Sequence, residues 1–234
     1  LNATDSTRKL VVSDGVFSMD GDMADLPGLV HAAMKHDALL MIDDAHGFGV
    51  LGEDGAGTAA FWREQGHDID EDNLQILIGT FGKACGTSGA FVTGSEELIE
   101  TLIQFCRPYI YTTAMPPAQA EAIRASLKLV RKDRWRREYL AHLVTRFRHH
   151  CDDLGLELLP SRTPIQAIVL GDVDLTLKAS ACLMESGVFV SAIRPPTVPP
   201  GSARLRVTFS AVHTEEQFLK LLHALEGVAR LKGR

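Results

Sequence analysis

Two short groups of residues have the types and spacing to do chemistry together. Asp43 and His46 close the apolar run Ala38-Leu39-Leu40-Met41-Ile42, and Thr80 and Lys83 follow the run Leu74-Gln75-Ile76-Leu77-Ile78-Gly79. Short, continuous apolar runs of this kind read as strands buried on both faces. In open α/β sheets, ligands bind outside the carboxyl ends of the strands. Both groups therefore fall where a ligand would sit. An acid and a lysine at neighbouring strand ends suit pyridoxal phosphate (PLP). A carboxylate against the pyridine nitrogen keeps the ring protonated and makes it an electron sink, and a lysine amine condenses with the aldehyde. Lys83 differs from an ordinary solvated lysine because it follows a buried run inside the Gly/Ser/Thr-rich stretch 79–89. Asp43 also has a plainer reading, as the cap of the turn at Gly47.

Three other motif matches lack their structural context. Gly47-Phe48-Gly49-Val50-Leu51-Gly52 fits the dinucleotide fingerprint, but Asp44-Ala45-His46 separates it from the strand and Gly52 leads into more glycines instead of a helix. Gly79-Thr80-Phe81-Gly82-Lys83 imitates a P-loop, yet Ala84 stands where its magnesium-binding hydroxyl belongs. Asp20-Gly21-Asp22 hints at calcium, but the twelfth position of such a loop would be His31, not a bidentate Glu. No metal site is expected. Arg194 and Arg206 flank the turn Pro195-Pro196-Thr197-Val198-Pro199-Pro200, and guanidiniums held this way suit bidentate recognition of a carboxylate. His31, His67, His142, His149, His150 and His223 read as structural, and the run 131–137 as the solvated side of a helix.

The elements that must position these residues follow from the pattern. Strands are predicted at 10–13, 38–43, 74–79, 89–93, 109–112, 165–170, 188–193 and 205–209. Helices are predicted from Asp25, with Pro27 in the first turn, to about 36; from Ser95, with Glu96 and Glu97 at its positive end, to about 107; from Pro116-Pro117 onward; over 135–153, stopping near Gly155; and around 175–186. Thr214-Glu215-Glu216-Gln217 is a capping box that opens the last helix. The alternation of strands and helices predicts an α/β body with a mainly parallel sheet over 1–132, and a smaller α+β domain over 133–234. The 234 residues carry a net charge of −6, 45% hydrophobic and 23% charged residues, so a folded chain with no nucleic-acid partner is expected. Cys85, Cys106, Cys151 and Cys182 form no close pair, which fits a reducing cytoplasm better than a disulfide framework. No apolar run reaches the roughly 18 residues of a membrane span. The start is polar, unlike a secretory leader, and lacks methionine, so a piece of a longer chain is expected.

Four motifs together resemble the α-oxoamine synthases, a family of fold-type-I, aminotransferase-like PLP enzymes: Asp14-Gly15-Val16-Phe17-Ser18-Met19-Asp20-Gly21-Asp22, Asp43-Asp44-Ala45-His46-Gly47, Gly79-Thr80-Phe81-Gly82-Lys83 and Ile193-Arg194-Pro195-Pro196-Thr197. The resemblance runs from about Lys9 to the end. It implies that Lys83 bonds the cofactor aldehyde and removes the Cα proton of the amino acid. Asp43 would pair with the pyridine nitrogen, and Ser18 and His46 would contact the ring hydroxyl side. Thr80 would lie near the phosphate, and Thr113 would reach the phosphate of the neighbouring subunit of a homodimer. Arg206 would hold the substrate carboxylate, with Thr197 and Arg194 as further substrate contacts.

The motif variants lean towards the branch of that family that condenses L-alanine with a pimeloyl thioester, on CoA or a carrier protein, in biotin biosynthesis. Sister enzymes acting on other substrates, such as glycine C-acetyltransferase, 5-aminolevulinate synthase or serine palmitoyltransferase, are the alternative. A non-catalytic or nucleotide-binding module is the remote one. One departure from the family pattern stands out: its glycine-containing phosphate loop and its ring-stacking histidine match nothing here.

Overall fold

The computed structural model describes residues 1–233 except Asn2 and Asp5. The chain divides into two compact units. The first comprises Leu1–Val16 and Met23–Arg134, the second Phe17–Asp22 and Trp135–Arg234. The break after Arg134 lies two residues beyond the position read from the sequence. The six-residue excursion at Phe17–Asp22 has no mark in the hydrophobic pattern.

The first unit holds β1 (Leu10–Asp14), α1 (Leu26–Lys35), β2 (Leu39–Asp43), α2 (Thr58–Glu64), β3 (Ile76–Thr80), β4 (Ala90–Thr93), α3 (Glu96–Phe105), α4 (Arg107–Ile110) and α5 (Pro117–Lys132). The sheet order is β1-β2-β3-β4, with the first three strands parallel and β4 antiparallel to β3. Asp25 caps α1 by accepting from Gly28 N, and Ser95 caps α3 by accepting from Leu98 N. Leu26, Val30 and Ala33 of α1 pack with Ala59 of α2 against Leu40 and Ile42 of β2.

The other face lies open along β1 and the start of β2, although the run 38–43 was expected to be buried on both sides. Leu10, Val12 and Leu39 are 51%, 55% and 50% exposed. Leu10 pairs with Leu39 and Val12 with Met41, so they share one face, and the helices that pack on these strands lie on the other. A further correction concerns 109–112. Tyr109 N and Ile110 N both donate to Cys106 O, winding Arg107–Ile110 into a helical turn with Pro108 in its first positions. Helix α2 was not read from the sequence at all. It has seven residues, too few to show a period.

The second unit holds α6 (Arg134–Asp153), which begins at the boundary, then β5 (Ile165–Gly171), α7 (Val173–Glu185), β6 (Ser191–Ile193), β7 (Ala203–Thr208) and α8 (Glu215–Lys232). Its sheet is antiparallel with order β5-β7-β6. Leu143 and Phe147 of α6, Leu183 of α7 and Leu225 of α8 bury against Ile168 and Leu205 of the sheet. Each such side chain contributes roughly 2 kcal/mol of transfer free energy. Thr214 and Gln217 form both hydrogen bonds of the predicted capping box. β6 is shorter than predicted because Val188 N–H closes the end of α7 on Leu183 O, after Gly187 at φ +71°.

Candidate active site

The first unit sets its polar residues at adjoining strand ends. Asp43 is the last residue of β2 and Thr80 the last of β3, with Asp43 paired in register with Ile78. Residues 78 and 80 share a face, so Asp43 and Thr80 lie on the same side of the sheet. Asp43 Oδ1 accepts from Ala45 N at 2.9 Å, so the carboxylate does cap the following turn. Its second oxygen accepts no hydrogen bond among the described residues. The turn reading and the binding reading of Asp43 are thus compatible. His46 is half-buried in that turn. Thr80 Oγ1 is buried and has no hydrogen-bond partner, a condition that costs about 1–3 kcal/mol unless something from outside satisfies it.

Lys83 lies in the loop that joins β3 to β4, not on a helix or strand. The loop is pinned at its base and along its length. Phe81 N donates to Gly89 O, Thr87 N to Phe81 O, Ser126 Oγ to Cys85 O and Gln119 Nε2 to Ser88 O. Gly86 and Gly89 take positive φ angles of 61° and 106°, which favour glycine. Within this frame the Lys83 ammonium is exposed and makes no hydrogen bond or ion pair among the described residues. Thr113 lies on the exposed segment between α4 and α5. Its neighbours Tyr109 and Tyr111 are 64% and 77% exposed, and Phe105 of α3 is 76% exposed.

A residue without an assigned role is the most deeply buried acid of this unit. Asp44 is 1% exposed. It accepts from Thr58 N at 2.7 Å and from the Thr58 hydroxyl, at the first residue of α2. Its own N–H donates to Ile78 O, and its carbonyl accepts from Gly47 N and Phe48 N. A Cβ on Gly15, Gly47 or Gly57 would run into its carboxylate, which explains a glycine at each place. Burial pushes the Asp44 carboxyl up to about 6, against the two Thr58 hydrogen bonds that lower it. Asp44 therefore ties together the ends of β2 and β3, the turn bearing His46 and the start of α2. Its sequence signal was only its place beside Asp43.

The second unit assembles a cationic group on one face of β7. Arg206 Nε donates to Ser18 O at 2.6 Å, and Nη1 reaches Thr208 Oγ1 at 3.3 Å. No carboxylate among the described residues pairs with Arg206, and burial lowers its pKa. Arg204, two residues earlier on the same face, is 6% exposed and forms an ion pair with Asp20. The sequence reading missed Arg204; its i, i+2 spacing from Arg206 was the available signal. Arg194 and Thr197 share an exposed turn in which Thr197 N donates to Arg194 O. The structure does not bring Arg194 beside Arg206. Ser191 is the partner of Arg206 and Ile193 that of Arg204, so the two arginines are offset by three positions along the hairpin, roughly 10 Å.

The model of the aminotransferase class I and II family matches residues 1–225. The chain belongs to that family. It is 58% identical, over 217 residues, to the 8-amino-7-oxononanoate synthase of Pseudomonas syringae pv. tomato, a match that takes in 93% of this chain and 54% of that protein. The solved 8-amino-7-oxononanoate synthase of Francisella tularensis superposes with a TM-score of 0.83 at 34% identity, covering 95% of this chain and 62% of that one. A serine palmitoyltransferase solved with a PLP internal aldimine superposes at 0.86 with 30% identity, covering 97% and 56%. The fold is therefore the fold-type-I, aminotransferase-like one. The chain spans about half the length of the curated relatives it matches. Among the described residues no group of three or more His, Cys, Asp or Glu could hold a metal ion, and no helix is long and apolar enough to cross a membrane.

Proposed function

We propose that this chain is the part of an 8-amino-7-oxononanoate synthase that carries the reactive lysine, in an enzyme that condenses L-alanine with a pimeloyl thioester and releases carbon dioxide. The observation that carries the reading is the buried, unsatisfied Thr80 hydroxyl at the end of β3, with Asp43 at the end of the neighbouring β2 and the exposed Lys83 ammonium in the loop that follows Thr80. These groups suit PLP. Asp43 would accept from a protonated pyridine nitrogen, Thr80 would donate to the phosphate, His46 lies in the turn between them in sequence, and Lys83 would supply the amine. When bound, PLP supplies an electron sink for the charge that develops at the alanine Cα. Lys83 removes the Cα proton and Arg206, a cation without a carboxylate of its own, holds the alanine carboxylate. Thr197 and Arg194, exposed on their turn, are assigned as further substrate contacts.

The 58% identity to the 8-amino-7-oxononanoate synthase of Pseudomonas syringae pv. tomato supports alanine as the amino acid. The exposed aromatics beside Thr113 support a homodimer in which Thr113 reaches the second copy's phosphate. The four free thiols support a cytoplasmic setting. Borohydride reduction of the full-length enzyme followed by peptide mapping tests the cofactor assignment, with a pyridoxyl adduct expected on Lys83; an adduct elsewhere, or none, refutes it. Turnover with alanine, glycine and serine against pimeloyl, acetyl, succinyl and palmitoyl thioesters tests the substrates. Preference for any pair but alanine with pimeloyl transfers the chain to a sister enzyme.

A further inference from the structure

Segment Phe17–Asp22 is a strap on the second unit, held at every turn. Phe17 N donates to Asp22 O, and Gly21 N to Phe17 O. Gly21 O accepts from both Ser161 Oγ at 2.8 Å and Thr163 Oγ1 at 3.0 Å. Gly21 has φ +76°, and a Cβ there would run into Ile165 O, so the strap lies as close to β5 as a backbone can. Asp20 pairs with Arg204, whose Nε is fixed in turn on Ser202 O. Between these fixed points lies Ser18, whose carbonyl takes the Nε–H of Arg206.

An arginine that gives its Nε–H to a backbone carbonyl has its plane and direction set by that carbonyl. In Arg206 the terminal nitrogens then face a ligand, with one N–H of Nη1 shared with Thr208 Oγ1 and Nη2 bonded to nothing among the described residues. Two arginines thus share one face of β7 with opposite fates. Arg204 has its carboxylate built in, while Arg206 is aimed by the same strap and has none.

We propose that Asp20 and Arg204 are a positioning pair for amino-acid recognition: by locking the strap they fix the Ser18 carbonyl, which orients Arg206 towards a substrate carboxylate. This rests on the reading that Arg206 holds that carboxylate. Neither Asp20 nor Arg204 touches the substrate; both act through Ser18 and Arg206.

The test uses the full-length holoenzyme and equilibrium titration of its visible absorbance with L-alanine and with L-alaninamide, which lacks the carboxylate. Asp20→Asn and Arg204→Lys are measured beside wild type and Arg206→Ala. Wild type is expected to prefer alanine, and Arg206→Ala to abolish the preference. Asp20→Asn is expected to weaken alanine about tenfold while leaving alaninamide within twofold of wild type. Arg204→Lys, which keeps the charge but not the fork, falls between. The KM for the pimeloyl thioester should stay unchanged in both. Equal weakening of the two ligands would show a merely structural pair and overturn the proposal, as would an unchanged alanine affinity in Asp20→Asn. Arg206→Ala retaining the preference for alanine would instead overturn the assignment of Arg206 itself. Where Asp20→Asn does not yield folded enzyme, Arg204→Lys decides by the same ratio.

Discussion

Asp44 in the first unit and Arg204 in the second solve one problem in two ways. Each is a charge-bearing side chain more than nine-tenths buried, and each fixes backbone next to candidate site residues. Asp44 is held by neutral donors, the N–H and hydroxyl of Thr58. Arg204 faces a countercharge, Asp20. Neutral donors leave the desolvation of the acid uncompensated enough to bring its pKa to about 6, into the range where it can gain a proton. A countercharge offsets desolvation by direct attraction but makes each partner dependent on the other. The first arrangement is sensitive to pH and to space, the second to loss of a partner.

The largest expected effect tests space. Gly57 has φ +93° and precedes α2, and an added methyl would meet the Asp44 carboxylate. Gly57→Ala should destabilise the first unit by about 4 kcal/mol or more, combining backbone strain with a clash. Denaturant midpoints measure this; a loss below about 1 kcal/mol would mean that the Asp44 pocket yields easily. Next comes partner loss. Arg204→Met strands Asp20 and should cost about 3 kcal/mol, at the low end for a buried pair because the Asp20 side chain keeps 34% of its exposure. Replacing both, Asp20→Leu with Arg204→Met, should recover part of that loss. Additive losses would show that the pair is not coupled.

The legible parts of the molecule were those with local physics. Asp25, Ser95 and Thr214 announced helices because an N-cap needs only its own first turn. The runs at β2 and β3 announced strands, and so placed Asp43 and Thr80. What failed, outside the turn at 109–112, depended on distant residues. A both-face reading of β2 requires something to cover Leu39, and no composition rule supplies it. The pattern at 109–112 is strand-like, but Pro108 and the Cys106 carbonyl win locally. Asp44 and Arg204 stayed unread because their meaning lies in residues 14 and 184 positions away, Thr58 and Asp20. Arg194 and Arg206 were grouped by flanking one turn, whereas the hairpin register separates them.

The third effect separates the two arrangements by pH. The Asp44 carboxyl titrates at 3.8 when free and about 6 in the fold. Its folded pKa is raised, so the native state binds the proton more readily than the unfolded chain. Stability from this group is therefore greatest below pH 3.8 and is lost as pH rises through 6, by about 3 kcal/mol for a shift of roughly two units. Asp44→Asn does not titrate. Relative to wild type it should gain most of that amount, about 2.4 kcal/mol, between pH 4 and pH 7, measured as the change in the difference of unfolding free energies. Arg204→Met leaves the Asp44 carboxyl in place and should not reproduce this gain. A constant Asp44→Asn difference would mean that the Thr58 hydrogen bonds keep Asp44 ionised at both values.

The smallest effect divides those hydrogen bonds. Thr58 is fully buried, and Thr58→Val removes the hydroxyl donor while keeping the shape and the N–H donor. A hydrogen bond to a charged acceptor contributes about 2 kcal/mol, and that is the loss expected at pH 7. Thr58→Ser keeps the donor and loses one methyl, about 1 kcal/mol. With the hydroxyl gone, the Asp44 carboxyl should titrate above its present value, because the same burial acts with one lowering contact fewer. The Val loss must then shrink as pH falls through that range, since a protonated Asp44 no longer needs a second donor. The Ser loss, being one of packing, must not. Parallel pH dependence for the two substitutions would show that Thr58 supports Asp44 by filling space and not through its hydroxyl.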